Sequence, residues 1–360
     1  MSRQQNDRIK KPGRRLLALM LCCILLLCGC GQEPAASTES GETASASRDI
    51  FAMDTYMTLT CYGTRAEEAL TAAVAEIQRL DALLSTGSPD SEVSKLNAAG
   101  GGPVGEESAA MLEESLRVYE RSGGAFDITI YPLMELWGFT GDAPAVPEAA
   151  ELSACLKKVG ADRIALNGSE LVLGEGQAID LGAIAKGYTS GRLMEIFEEY
   201  ELTAAIVSLG GNVQCYRRKP DGSLWRCGVR DPKGEDYFGV VSVEDKAVIT
   251  SGGYERCFEE NGETYHHILD PKTGIPAKAG LISVTVVSEN GTLADALSTA
   301  CYVMGEEASA AYWREYGAEE GGAFELILMT EDGGVWITEG LQDCFTTERE
   351  LHVITKNGKE

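Results

Sequence analysis

Apolar residues recur along this chain with two different periods. Leu70, Val74, Ile77, Leu80 and Leu84 stand three or four apart. That stripe predicts an amphipathic helix over about residues 65–85. Leu112, Leu116 and Tyr119 mark a second helix over about 106–121. Residues 53–61 read as an opening strand, and 204–209, 240–243 and 281–288, rich in β-branched residues, as further strands. Turn signals at Gly210-Gly-Asn212, Asp221-Gly222, Ser251-Gly-Gly253 and Asn261-Gly262 punctuate the strand-rich stretch 202–288. Helices early and strands later predict an α+β fold rather than a regular βαβ alternation. No G-x-G-x-x-G or Walker loop occurs, so neither a Rossmann nor a P-loop site is expected.

The first thirty residues follow neither period. Arg3, Arg8, Lys10, Lys11, Arg14 and Arg15 face a single Asp7, and residues 16–27 are almost wholly apolar. This is the order of a secretory signal, and the apolar run is shorter than the roughly 20 residues of a spanning helix. It ends in Leu27-Cys-Gly-Cys30, which looks like a lipobox, with Cys30 the lipidated first residue of the mature chain. Residues 1–29 are therefore read as a lipoprotein signal peptide and 30–48 as lipidated cysteine and flexible tether, rich in Ser, Ala, Thr, Glu and Gly. Residues 49–350 are read as one globular domain and 351–360 as a tail.

The net charge of −25 excludes a nucleic-acid partner, since a phosphate backbone needs a basic face. Seven cysteines lie beyond the leader with no C-x-x-C and no regular spacing, so neither a zinc site nor a disulfide scaffold is indicated.

Three stretches carry candidate chemistry. Ala178-Ile-Asp-Leu-Gly-Ala-Ile-Ala-Lys-Gly187, ahead of a helix-like run over 188–200, sets an acidic residue, a glycine turn and Lys186 at a helix entrance. Such an entrance suits a phosphate; an ordinary loop-to-helix junction reads the same way. Asp295 and Thr299 stand four apart, hence on one helix face, where a carboxylate and a hydroxyl can share a hard cation. Thr292-x-x-Asp295 is equally a capping-box pattern. Tyr265-His-His-Ile-Leu-Asp-Pro-Lys-Thr-Gly-Ile-Pro276 places two of the three histidines side by side. Histidine suits a general base near neutral pH. Neighbours on a strand face opposite ways, so only one of His266 and His267 is expected to face a site.

Together these stretches resemble the motifs of the ApbE-like FAD:protein FMN transferases. So do Gly124-Ala-Phe-Asp-Ile-Thr129, Leu136-Trp-Gly-Phe139, Ser208-Leu-Gly-Gly-Asn212 and Ser251-Gly-Gly-Tyr-Glu-Arg256. They occur in family order and span residues 50–345. The resemblance implies two intertwined α/β subdomains with mixed or antiparallel sheets and an FAD and metal site between them. It implies FAD contacts at Met53, Ala125, Phe126, Asp127, Asp180, Lys186 and Leu269. It implies Mg2+ held by the carbonyl of Ala183 and the side chains of Asp295 and Thr299, and His267 as base. Two positions depart from the family pattern. Gly87, a flavin-side position, stands where an aromatic that covers the flavin is common, and Gly253 stands where Asp is common.

The implied reaction is magnesium-dependent transfer of FMN from FAD to a Thr or Ser hydroxyl of an acceptor flavoprotein, with release of AMP. The implied acceptors are exported or membrane flavoproteins such as Rnf- or Nqr-like redox subunits, met at the outer face of the cytoplasmic membrane. An FAD pyrophosphatase, a flavin-binding lipoprotein without turnover and a permanent flavin carrier are the alternatives.

Overall fold

The computed structural model describes residues 44–359 other than 142, 235 and 320. Cys30, the signal segment and most of the tether lie outside the described residues. The described chain forms one unit built on a ten-stranded sheet. In spatial order its strands are Ser45–Ala52, Thr55–Tyr62, Ala204–Leu209, Asn212–Tyr216, Ala247–Gly252, Leu281–Ser288, Phe324–Thr330, Val335–Thr338, Leu351–Thr355 and Gly358–Lys359. Neighbours pair antiparallel except Val335–Thr338 with Leu351–Thr355, which run parallel. Eight α-helices accompany it among the described residues, giving the mixed α and β content expected from the sequence.

The sheet is covered on both faces, and strand alternation assigns each face its partner. In Leu281–Ser288, Val284 and Val286 pack with Leu293, Leu297 and Ala300 of the helix Gly291–Met304. Val287 turns the other way, toward Val241 and Phe345 of a three-stranded sheet. That smaller sheet comprises Trp225–Arg230, Tyr237–Val243 and Phe345–Thr347. The first helix, Ala66–Leu84, buries Leu70, Ala73 and Ile77 against Met57, Leu59, Val207 and Leu209. A satellite aromatic cluster joins Trp137 and Phe139 to Phe258 and Tyr265 of the hairpin Cys257–Glu260 and Glu263–His266.

Four boundaries differ from the sequence expectation. The first strand starts at Ser45, inside the segment read as tether, and pairs along its whole length with Thr55–Tyr62. It is an edge strand whose residues up to Phe51 alternate between exposed and half-buried, with only Ala52 buried, so no apolar signal marks it. Met53 is not in a strand: it and Asp54 form the two-residue turn of that hairpin, with φ of 49° and 56°. Two successive left-handed residues give the turn whose twist matches the flanking strands. The helix read from residue 188 begins at Gly182. The last ten residues are not a tail, because Leu351–Thr355 and Gly358–Lys359 extend the sheet.

Candidate active site

The site grows from a crossing of two helices. Gly182–Glu199 and Gly291–Met304 approach so closely at Gly187 and Gly291 that neither position has room for a side chain. A Cβ on Gly187 would lie 2.2 Å from the Gly291 carbonyl oxygen and 2.6 Å from Cβ of Asp295; one on Gly291 would lie 2.8 Å from the Gly187 oxygen. This contact decides what Asp295 is bonded to. The second helix is capped by Asn290, whose Oδ1 accepts from the Leu293 amide at 3.0 Å. Thr292 is already inside the helix, so the capping-box reading fails. Asp295 instead accepts at Oδ2 from the Gly187 amide at 2.8 Å and is 3% exposed. In a regular helix that amide would serve the Ala183 carbonyl, which therefore at most shares its helical donor.

A cleft of about 1160 Å³ opens at this crossing. Met53, Gly87, Ala125, Phe126, Asp127, Asp180, Ala183, Lys186, His267, Leu269, Asp295 and Thr299 all line it. One rim is built from two adjacent turns, Met53-Asp54 and Gly210-Gly211, brought together because Thr55–Tyr62 pairs with Ala204–Leu209. Gly210 is required there: a Cβ would meet Thr55 Oγ1 at 2.2 Å, and its φ is 62°.

Each side chain has its own environment. Asp127 spends its oxygens within the protein, accepting from the Thr129 amide and hydroxyl and from the Ala161 amide. Burial raises its pKa, while the Thr129 hydrogen bonds oppose that rise. Asp180 Oδ1 accepts from the Gly182 amide at 2.7 Å, and Lys186 Nζ donates to the Gly182 carbonyl at 3.2 Å. Burial raises the Asp180 carboxyl, offset in part by the Gly182 hydrogen bond and then the charges of Arg256 and Lys186. Thr299 Oγ1 lies 3.4 Å from Ser251 Oγ.

The two histidines face different surroundings. His266 Nε2 lies 3.2 Å from the Ala277 carbonyl oxygen and its ring packs edge-on against Tyr302. Only His267 lines the cleft. Its Nδ1 lies 3.2 Å from the Arg256 carbonyl oxygen. A carbonyl can only accept, so Nδ1 carries the proton and Nε2 keeps a free lone pair. The ring is half-buried. Desolvation by the cleft walls, then the positive charge of Arg256, push its pKa down to about 3. The Asp270-Pro-Lys-Thr-Gly274 loop that follows is architectural. Asp270 accepts from the Lys272 amide and the Thr273 hydroxyl, and Trp137 Nε1 donates to the Gly274 carbonyl at 2.8 Å.

Arg230, Tyr237, Tyr254, Glu255 and Arg256 also line the cleft. The last three fall within Ser251–Arg256, a stretch matched as a motif without individual roles. Arg230 and Tyr237 come from the small sheet and carry no local signal. Glu255 keeps surface open to the cleft, yet the walls around it desolvate its carboxylate and raise its pKa, which Lys186 and Arg230 offset. The two departures from family pattern are explained differently. Gly87 has only Ser85 Oγ near a would-be Cβ, at 3.8 Å, so a side chain can start from this position without a backbone clash. At Gly253 a Cβ would lie 2.6 Å from the Tyr302 hydroxyl and 2.7 Å from His266 Cδ2. These two side chains fill the space an aspartate would need.

The chain matches the ApbE family over residues 53–320. It is 35% identical over 322 residues to the FAD:protein FMN transferase of Treponema pallidum, covering 82% of this chain and 87% of that one. Its fold is similar to the crystal structure of the ApbE protein of Thermotoga maritima, with a TM-score of 0.77, 33% identity and coverage of 85% and 100% of the two chains. It is also similar to the apo flavinyl transferase ApbE of Pseudomonas stutzeri, with a TM-score of 0.70, 28% identity and coverage of 85% and 95%.

Proposed function

The chain belongs to the ApbE family, and from that premise we propose that its cleft binds FAD and passes the FMN moiety to a hydroxyl of an acceptor flavoprotein, with AMP as the leaving group. The observation that carries this reading is the pairing, in one cleft, of a neutral His267 with the oxygen-rich crossing of Asp295, Thr299 and Ala183.

Those three residues fit magnesium. The donor set is all oxygen, which suits a hard cation. Among the described residues no cluster of three or more His, Cys, Asp or Glu would hold a metal alone. Magnesium typically uses one or two carboxylates and completes its shell with substrate phosphates and water. Bound there, it would neutralise charge developing on the diphosphate of FAD.

The chain's own residues supply the rest. Lys186, Arg230 and Arg256 place three cations along the cleft of an otherwise acidic protein, offsetting repulsion of the FAD phosphates. His267 Nε2 takes the proton of the incoming threonine or serine hydroxyl as that oxygen attacks the FMN phosphorus. The Arg256 carbonyl holds the imidazole in the tautomer that can do so. The new phosphoester bond forms as the bond to AMP breaks. An acceptor peptide incubated with the protein, FAD and Mg2+ tests the proposal by mass spectrometry, with AMP quantified alongside. FMN on the peptide in step with AMP supports transfer. FMN and AMP released equally with and without acceptor would make the protein an FAD pyrophosphatase.

The acceptors proposed are exported or membrane flavoproteins, including subunits of Rnf- or Nqr-like redox pumps, and Cys30 is proposed as the lipid anchor at the outer face of the cytoplasmic membrane. Support comes from the basic, apolar and Leu-Cys-Gly-Cys order of the leader. Cys30→Ala should move the protein out of the membrane fraction; unchanged lipid labelling would sink this assignment.

A further inference from the structure

All seven cysteines among the described residues are free thiols, but two of them face each other. Sγ of Cys215 lies 3.7 Å from Sγ of Cys227. Cys215 belongs to the ten-stranded sheet, Cys227 to the three-stranded sheet, and they are 1% and 4% exposed. The sulfurs thus meet inside the apolar layer between the two sheets, among Trp225, Val241 and Val248. They are in van der Waals contact, against the roughly 2.05 Å of a bond.

We propose that Cys215 and Cys227 form a structural disulfide that staples the small sheet to the main one. The proposal rests on the proposed export of the chain, because disulfides persist outside the cytoplasm. Closing the bond takes one proton from each thiol and two electrons from the pair. A disulfide-bearing oxidant accepts the electrons and becomes two thiols: an exchange protein outside the cytoplasm, or oxidised glutathione in a test tube. Both sulfurs are buried, so exchange takes place before the small sheet seats during folding, or when it opens locally. The link matters for the cleft. Arg230 and Tyr237 ride on the small sheet, so the staple holds one wall of the site against the frame that carries the helix crossing.

The test holds the full-length protein in glutathione buffers of graded oxidised-to-reduced ratio, with enough urea to loosen the small sheet. Free thiols are then alkylated in denaturant and peptides mapped by mass spectrometry. The expected result is one cross-linked peptide pair joining Cys215 to Cys227, about 2 Da lighter than the two thiol peptides together, while Cys61, Cys155, Cys257, Cys301 and Cys344 are alkylated. The oxidised protein should melt about 5 °C above the reduced one. Cys215→Ala, or Cys227→Ala if the first fails to fold, should abolish the pair and the shift. Alkylation of both cysteines in the most oxidising buffer, or pairing with other partners, overturns the proposal. If the bond forms in the purified protein but is absent from protein trapped at harvest from cells, the pairing stands and the export reading falls.

Discussion

The carboxylate of Asp295 accepts a 2.8 Å hydrogen bond from the backbone amide of Gly187, across a helix crossing that admits no side chain at Gly187 or Gly291. This bond fixes the carboxylate at the floor of the cleft, with Thr299 one turn along the same helix. It also separates structural from chemical function at Asp295, because asparagine can accept the same bond without carrying charge. Asp295→Asn should therefore melt within a few degrees of the parent. Its magnesium-dependent transfer should fall by roughly 1,000-fold, the size of the several kcal/mol a bound metal supplies. Turnover measured across magnesium concentrations decides it: normal transfer at limiting magnesium would remove Asp295 from the metal site.

Gly187→Ala attacks the same crossing by volume alone. The added methyl would press on the Gly291 carbonyl and on Asp295 itself. Overpacking of this kind costs about 3 kcal/mol. Thermal melts should show a drop of several degrees, and activity should fall with it because Asp295 is displaced. An unchanged Tm would mean the helices separate freely, and the close approach would lose its meaning.

Gly87→Tyr should be tolerated and should tighten FAD binding. A Cβ at this position has only Ser85 Oγ within 4 Å, and stacking of its ring on the flavin contributes about 1 kcal/mol, or about 5-fold in affinity. FAD titration of the variant beside the parent measures this directly. Equal or weaker binding would place the flavin away from Gly87.

The depressed pKa of His267 predicts an unusual acid limb. Folded, the imidazole titrates at about 3; its ordinary value is 6.5. Between those values the folded protein holds fewer protons at this site than the unfolded chain. Its contribution to stability is thus complete above about pH 6.5 and is lost as pH falls toward 3. The base form persists through the same window. The pH profile of kcat/KM, which reports the free enzyme, should carry no His267 limb at pH 6.5. A limb there that disappears in His267→Ala would contradict the desolvated, neutral imidazole.

Much of the frame could be read from residue pattern. The helix Glu106–Arg121 matches its expected span because it buries a periodic apolar face. The strands Ala204–Leu209 and Leu281–Ser288 match theirs because they are rich in apolar and β-branched residues and packed on both faces. The strand from Ser45 and the two at the C-terminus were not legible: they are short or lie at the sheet edge, and pairing rather than burial makes them strands. In the site, the four-residue spacing of Asp295 and Thr299 pointed to one helix face, but local sequence could not choose between ligand and cap. Asn290 as cap removes the second reading and Gly187 gives the carboxylate its partner; both follow from the helix start and its packing, which local sequence does not show. Arg230 and Tyr237 were invisible for the same reason, since they reach the cleft only through the docking of a second sheet.

The most direct measurement of the central claim compares FMN transfer to an acceptor by His267→Ala and His266→Ala, across pH, beside FAD titrations of both. With His267 as base, its loss should cost about 100- to 10,000-fold in rate, leave FAD affinity nearly unchanged and be partly rescued at high pH. His266, turned toward Ala277 and Tyr302, should cost far less in rate. A dead His266→Ala enzyme, or a His267→Ala protein that no longer binds FAD, would contradict the assignment.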